Sequence, residues 1–570
     1  MMRVNRPIPV LACVFALFLC GAVAASAQTE RWTHTYDGPA QWDDTAPCTI
    51  AGIDGNIYVA GYSYGEGPGL DIVVLSLDPD GNRRWVYRYD NGGSDGANAV
   101  VQGPNGDLYV VGGSNGSAHS ASDIVVICLS ASGAEQWVYR YDGPAGEVDV
   151  GTDIAVDADG AVYATGYSWG DGTSGDAVVI KLFSGGLVHW IYRYDGAEHG
   201  IDRGYCVTAG HDQMIYVGGT CREQAVVDSS LVLALESSGV VKWIYTSPDP
   251  YATQNAIYDM TIDSEGDLLT AGTCGSMDFA VRRMDWKTGL VSWCWTWPSD
   301  TINQNRGNAV VCDDLGNVCA AGAIDLGNDQ NNDFVVVGLD LDGNQRWLHS
   351  IDGPAGDWDE AWSLALDAAG SVVAGGYLWS SGMCDAYAVS LDRQGAVLWE
   401  RTWGGSAENT EEQFISVARG GMGQFYLGGM MEQGNGRDIA VVRMDTDVTL
   451  GGTIACDPTA GTLPLDASIG VTVANPLAGQ VRRASMRLDL ALANGSAFPR
   501  WRAGYANIQP LGQFSTAVPL TIPAEPGMAG EHGFRLVVED TTPAPYNQPP
   551  YPPSGDTDTA ACTVTGNEDG

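Results

Sequence analysis

Short apolar segments separated by turn residues run along most of the chain, and the set repeats. In Gln136–Asp142, QWVYRYD, large side chains alternate: Trp137, Tyr139 and Tyr141 on one side, Val138, Arg140 and Asp142 on the other. A period of two predicts a strand with unlike faces. A second strand follows, TDIAVDADG (Thr152–Gly160), then a third ending in glycine, AVYATG (Ala161–Gly166). A nearly continuous apolar strand opened by aspartate, DAVVIKL from Asp176, completes the set. Relatives of the third segment are NIYVAG (Asn56–Gly61), DLYVVG (Asp107–Gly112), DLLTAG (Asp267–Gly272) and NVCAAG (Asn317–Gly322). Asp71, Asp123, Asp333 and Asp438 open relatives of the last. Glycine-bearing turns such as LDPDGNRRW and LDLDGNQRW lead into the next tryptophan and read as hairpins. They lack the remaining ligands of an EF-hand calcium loop.

The tryptophan recurs at positions 32, 85, 137, 190, 243, 293, 347 and 399, in steps of 50 to 54 residues. Self-similarity at a period near fifty marks a repeat architecture. Four antiparallel strands per unit, in eight units, predict an all-β, eight-bladed β-propeller over residues 28–447. A lone blade leaves both faces wet, so neighbours must cover them, and the tryptophan is the expected anchor between blades on each outer strand. The chain starts with one such strand at Trp32 and closes the repeat with three, around Phe414 to Asp445. Joining the first to the last three fastens the ring and hides its edges.

These segments resemble the β-propeller repeat of secreted bacterial proteins, the SBBP type, through the D-G-N-x-Y-V-A-G core and the D-x-x-V strand, over about Thr29–Asp447. The resemblance implies an architecture and is nearly silent on activity. The name of that type implies seven blades; the tryptophans and glycine-ended strands here give eight. MDWKTGLVSW (Met284–Trp293) resembles the tryptophan-docking repeat of pyrroloquinoline-quinone dehydrogenases. The other units match that pattern poorly, and the adjacent cysteine pair of its alcohol-oxidising members is absent.

Outside the repeat the pattern changes. Arg3 and Arg6 precede the apolar run Ile8–Ala25 and the small residues Ala25-Ser26-Ala27, which predicts a secretory signal peptide over residues 1–27. A secreted, periplasmic or cell-surface location follows from it, and no later apolar run is long enough to span a membrane. Residues 448–570 hold short alternating strands, ASIGVTVANP, ASMRLDLALANG and HGFRLVVEDT, between proline-rich loops. They predict a small β-sandwich, immunoglobulin-like in a broad sense. Cys456 and Cys562, in its first and last strands, are candidates for a disulfide. Cys312 and Cys319 flank one hairpin of the propeller and either pair or remain buried thiols.

Charge narrows the partners. Lys plus Arg number 28 and Asp plus Glu 70, a formal net charge of −42. Such a surface repels nucleic acid and anionic membrane.

Candidate chemistry sits where each unit enters its second strand. Those positions hold Asp44, Asp95, Asp149, Asp202, Asn255, Asn305, Asp359 and Glu412. Around a channel mouth, six carboxylates and two amides suit a hard cation, with calcium the cofactor they would hold. The competing expectation is that each caps its own strand end by bonding local backbone amides. Long loops after the glycine-ended strands place Tyr64, Trp169 and Trp379 at equivalent positions, where aromatics can stack a sugar or a peptide. No G-x-S-x-G elbow, H-E-x-x-H or P-loop is present. The leading expectation is a non-catalytic exported propeller binding a protein or glycan. The alternatives are a glycan hydrolase or lyase using channel-mouth carboxylates, and a purely structural envelope component.

Overall fold

In the computed structural model the described backbone comprises residues 29–445, apart from short loop segments of which 248–254, 299–304 and 405–410 are the longest, and strands between 454 and 562. Side chains are described within residues 30–445. The first blade is an antiparallel sheet of β2 (Asp44–Ala51), β3 (Ile57–Tyr64), β4 (Leu70–Leu77) and β5 (Arg83–Tyr89), paired in that order from the axis outward. Six more sheets of the same order follow at residues 92–141, 149–194, 203–246, 257–297, 306–351 and 360–403. The eighth blade is β30 (Gln413–Arg419), β31 (Gln424–Gln433) and β32 (Gly436–Asp445), completed on its outer edge by β1 (Thr29–Tyr36). Its inner strand packs on β2, so the described blades form a closed eight-bladed propeller.

Two glycine requirements explain the repeat's spelling. The innermost strand of every blade carries a bulge, at Thr45/Cys48 in the first and Gly151/Asp153 in the third. The second strand crosses it at the glycine that ends the N-x-Y-V-A-G segment. A Cβ on Gly61 would lie 1.9 Å from the Thr45 carbonyl oxygen, and one on Gly166 equally close to that of Val150. Only glycine lets the backbones approach this closely.

The outer hairpin supplies the second requirement. Gly133 turns at φ +83°, and a Cβ there would lie 2.6 Å from the Trp85 ring. Trp85 of one blade stacks on this turn of the next and donates its indole N–H to Ala131 O at 3.1 Å. The bond recurs from Trp32 to Pro79, Trp137 to Ser184, Trp190 to Ser237, Trp243 to Trp286, Trp293 to Leu341 and Trp347 to Arg393. The expected inter-blade anchor is therefore present, with a specific hydrogen bond. Apolar clusters lie between consecutive sheets, each blade burying its neighbour's face.

No disulfide joins Cys312 to Cys319. Their strands pair Val311 with Cys319 and Cys312 with Val318, so the two sulfurs leave opposite faces of the sheet and pack in different inter-blade cores. That geometry forbids a bridge.

Beyond the propeller, β33 (Ile454–Pro458), β34 (Leu465–Ala474) and a strand at Gln513–Ile522 form one antiparallel sheet. Strands Trp501–Ile508, Arg482–Ala491, Gly533–Asp540 and Ala561–Cys562 form another. The side chains of Cys456 and Cys562, and with them the expected disulfide, lie outside the described side chains, and the signal peptide lies outside the described residues. Among the described residues no helix is long and apolar enough to cross a membrane.

Candidate functional site

Topology sorts the loops onto two faces. Turns within each hairpin that joins strands one and two, or three and four, lie on one face. The longer loops joining strands two and three, and those crossing to the next blade, share the other. This second face carries all the candidate residues.

The opening phrase builds the wall beneath these loops. In blades one to three an arginine on the outer strand, Arg88, Arg140 or Arg193, pairs with the aspartate that opens the third strand, Asp71, Asp123 or Asp176, at 2.8, 2.7 and 2.6 Å. The same guanidinium bonds the hydroxyl and carbonyl of Ser63, Ser114 or Ser168 at the end of strand two. It also donates to a tyrosine hydroxyl of the preceding blade: Tyr36, Tyr89 or Tyr141. The arginine thus ties three strands and two blades together with charge-assisted hydrogen bonds. Sequence reading missed this clamp, although a constant spacing of 17 residues from aspartate to arginine signals it.

The eight positions proposed as a channel-mouth ring are buried rather than open: Asp44, Asp149, Asp202, Asn305 and Asp359 are 0 % exposed, Asp95 and Asn255 1 %, Glu412 3 %. Most are bonded to backbone amides. Asp149 accepts from Gly143 N at 2.5 Å and Trp169 N at 3.2 Å; Asp202 accepts from Gly196 N and Arg222 N; Asp359 accepts from Gly353 N and Trp379 N. Asp95 accepts from Asn91 N, and Asn305 Oδ1 from Asp325 N. These bonds hold the crossing loop and the end of strand two on the start of strand one, the geometry expected of strand capping. Burial pushes Asp202 and Asp359 up to about 6, against the lowering effect of the amides. The structure brings no two of these ring positions from different blades into a common cluster of metal-ligating side chains among the described residues.

Other side chains of the inner strands join consecutive blades. Asp153 accepts Val207 N, Asp259 accepts Val310 N, and Ser363 accepts Val417 N, each from the next blade. Asn98 and Thr152 donate to Gly151 O and Gly204 O. Asp153 and Asp259 also accept the following residue's N–H, which commits both oxygens of each. Burial pushes Asp153 up to about 6 and Asp259 up to about 7.

Aromatic side chains decorate the loop face. Trp169 is 39 % exposed, and Tyr64 and Trp379, at the equivalent places, are half-buried. Two tryptophans that sequence reading passed over are more open or equally so: Trp42, at 62 %, and Trp358, at 40 %. Both sit in inter-blade crossings. Trp42 packs edge-on against Tyr64, ring centroids 5.0 Å apart. Their signal was position: each stands in the crossing loop just before a capping carboxylate, Asp44 or Asp359.

No protein-family model matches the chain, and no curated protein does. Among solved structures it is similar to Sqt1 from Chaetomium thermophilum, with 9% sequence identity over 72% of this chain and 98% of that one, at a TM-score of 0.44. It is also similar to the Neurospora crassa Pan2 WD40 domain, with 10% identity over 62% and 89%, TM-score 0.34. A third likeness is to PpgL, the Pseudomonas aeruginosa periplasmic gluconolactonase, with 15% identity over 61% and 96%, TM-score 0.39. No residue role passes from these proteins to this chain.

Proposed function

We propose that the chain is an exported, non-catalytic binding module of the SBBP propeller type, which takes a protein or glycan partner across its loop face. The observation that carries this reading is the set of exposed indoles on that face, Trp42, Trp169 and Trp358, in three different blades or crossings. An indole offers a large, rigid, apolar surface with a polar edge, suited to a sugar ring or a peptide. Spread around a ring, such anchors suit an extended partner contacted at several points. Most of the capping carboxylates nearby are engaged in holding the loops, which favours recognition over acid–base chemistry. In this reading the two C-terminal sheets form an immunoglobulin-like sandwich serving as a spacer or second binding module.

The test is equilibrium binding of residues 28–570 to a panel of polysaccharides and cell-envelope proteins. The triple change Trp42→Ala, Trp169→Ala, Trp358→Ala is expected to weaken the bound partner at least tenfold. Undiminished binding by that variant sinks the loop-face assignment. Turnover of a polysaccharide would replace it with the glycan-hydrolase reading.

A further inference from the structure

Four blade junctions gather three aspartates each on the loop face, with one carboxylate oxygen of every member within 4.8 Å of the others: Asp123, Asp142 and Asp149; Asp176, Asp195 and Asp202; Asp333, Asp352 and Asp359; and Asp37, Asp44 and Asp438. The first two clusters contain a cation of their own, because Arg140 pairs with Asp123 and Arg193 with Asp176. The other two receive no arginine from the outer strand: at Asp333 the matching position is Ser350, opposite Val335, and at the ring closure it is Thr35. Register places Thr35 opposite Ala440 just as it places Arg88 opposite Val73, Arg140 opposite Val125 and Arg193 opposite Val178. Like blades four to seven, with Thr246, Thr296, Ser350 and Thr402, the N-terminal strand thus brings a neutral side chain where blades one to three bring a guanidinium; what sets the closure apart is the state of Asp438.

Among the described residues Asp438 is left without a counter-charge, whereas the Ser63 side chain and Arg88 both act on Asp44. Asp438 is 6 % exposed, and among the described residues it makes no hydrogen bond or ion pair; its neighbours are the carboxylates of Asp37 and Asp44. Arg437, beside it in the chain, pairs instead with Asp43 and Glu411 at 2.6 and 2.7 Å. Asp44 is 0 % exposed; its Oδ2 accepts Gly38 N at 2.5 Å, the Ser63 side chain lies beside the carboxylate, and its Oδ1, like that of Asp95, takes no backbone N–H among the described residues. The corresponding oxygens of Asp149, Asp202 and Asp359 each take the N–H of the residue 20 positions later. In the first blade that residue is Tyr64, and the bond is not made. A buried carboxylate oxygen without a donor costs free energy unless a cation meets it.

We propose that Asp37, Asp44 and Asp438 bind a divalent cation of the calcium class, which supplies at the ring closure the positive charge that arginine supplies in blades one to three. Hard cations of this size take six to eight oxygens. Three carboxylates provide up to six, and the exposed Asp37 leaves room for water. The site joins the outer strand of the last blade, its third strand and the entry to the first, so the ion fastens the seam where the two ends of the repeat meet.

Thermal unfolding of residues 28–570 in EDTA, in calcium and in magnesium at equal ionic strength tests this. Calcium near 100 times its dissociation constant is expected to raise the midpoint by about 3 °C for a domain of this size. Asp438→Asn is expected to remove that rise. Thr35→Arg is expected to remove it too while keeping or raising the midpoint in EDTA, because the guanidinium takes the ion's place. If Asp438→Asn does not fold, Thr35→Arg carries the test alone. An unchanged midpoint on adding calcium overturns the proposal. So does an equal rise with magnesium that persists in both variants, which would be general screening of the acidic surface.

Discussion

At the scale of single residues, the recurring tryptophan is both the clearest mark in the sequence and a measurable anchor. Its indole N–H reaches a carbonyl of the next blade's outer hairpin in seven cases, from Trp32 to Trp347. Trp399 is the exception: among the described residues its buried Nε1 has no partner, and the eighth blade closes with the N-terminal strand rather than a hairpin there. The pair separates the hydrogen bond from the packing. Trp137→Phe is expected to cost about 1 kcal/mol more than Trp399→Phe in urea unfolding, the usual net worth of one such bond. Equal costs would show that the indole acts through its area alone. Packing of this tryptophan between blades was legible from the alternation of QWVYRYD. The arginine of the same phrase was not, because its partners Asp123, Ser114 and Tyr89 lie on three other strands.

At the scale of strands, the glycine-ended segments were legible because backbone sterics leave a residue-level trace. What periodicity does not reveal is how inner strands of neighbouring blades are joined, since the groups that bond are one side chain and one backbone N–H. Asp259 on the inner strand Ile257–Ile262 and Asp153 on Asp149–Val156 are such links. Both are raised by burial, to about 7 and about 6, above an unfolded value near 3.9. The native state therefore binds more protons than the unfolded chain between about pH 4 and pH 7, and stability falls as pH rises through that window. Lowering the pH from 8 to 5 is expected to add about 2 kcal/mol from Asp259, within the range one group shifted this far can give. Asp259→Asn should flatten that slope whatever it does to the midpoint at pH 8. A slope unchanged in the variant would mean Asp259 is ionised throughout and its two amide bonds outweigh its burial. The strand caps were half-legible: the residue types predicted either a cation ring or local capping, and burial of all eight with backbone donors on most of them favours capping.

At the scale of the whole molecule, the eight-fold count and the closure by β1 followed from arithmetic on the repeat, whereas the seam's special chemistry did not. Asp438 stands far from Asp37 and Asp44 in the sequence and meets them only because the ring closes. The same arithmetic applies to charge. If each of the 28 lysines and arginines neutralised one acid, 42 of the 70 carboxylates would still lack a counter-charge. Several arginines are held in the blade walls by Asp71, Asp123 and Asp176, so they compensate local aspartates rather than the outer surface. Self-repulsion of that size opposes compaction, and mobile ions screen it over about 10 Å at 0.1 M salt. Raising sodium chloride from 20 to 500 mM is therefore expected to raise the unfolding midpoint, with potassium as effective as sodium. Surface ion pairs such as Lys242–Glu236, at 3.5 Å between half-exposed partners, weaken over the same range but contribute at most about 1 kcal/mol each. A midpoint that falls with salt would mean these pairs and the arginine clamps outweigh the net repulsion. A rise of the same size in wild type and Asp438→Asn would place the monovalent effect on the whole surface, separate from any divalent ion at the seam.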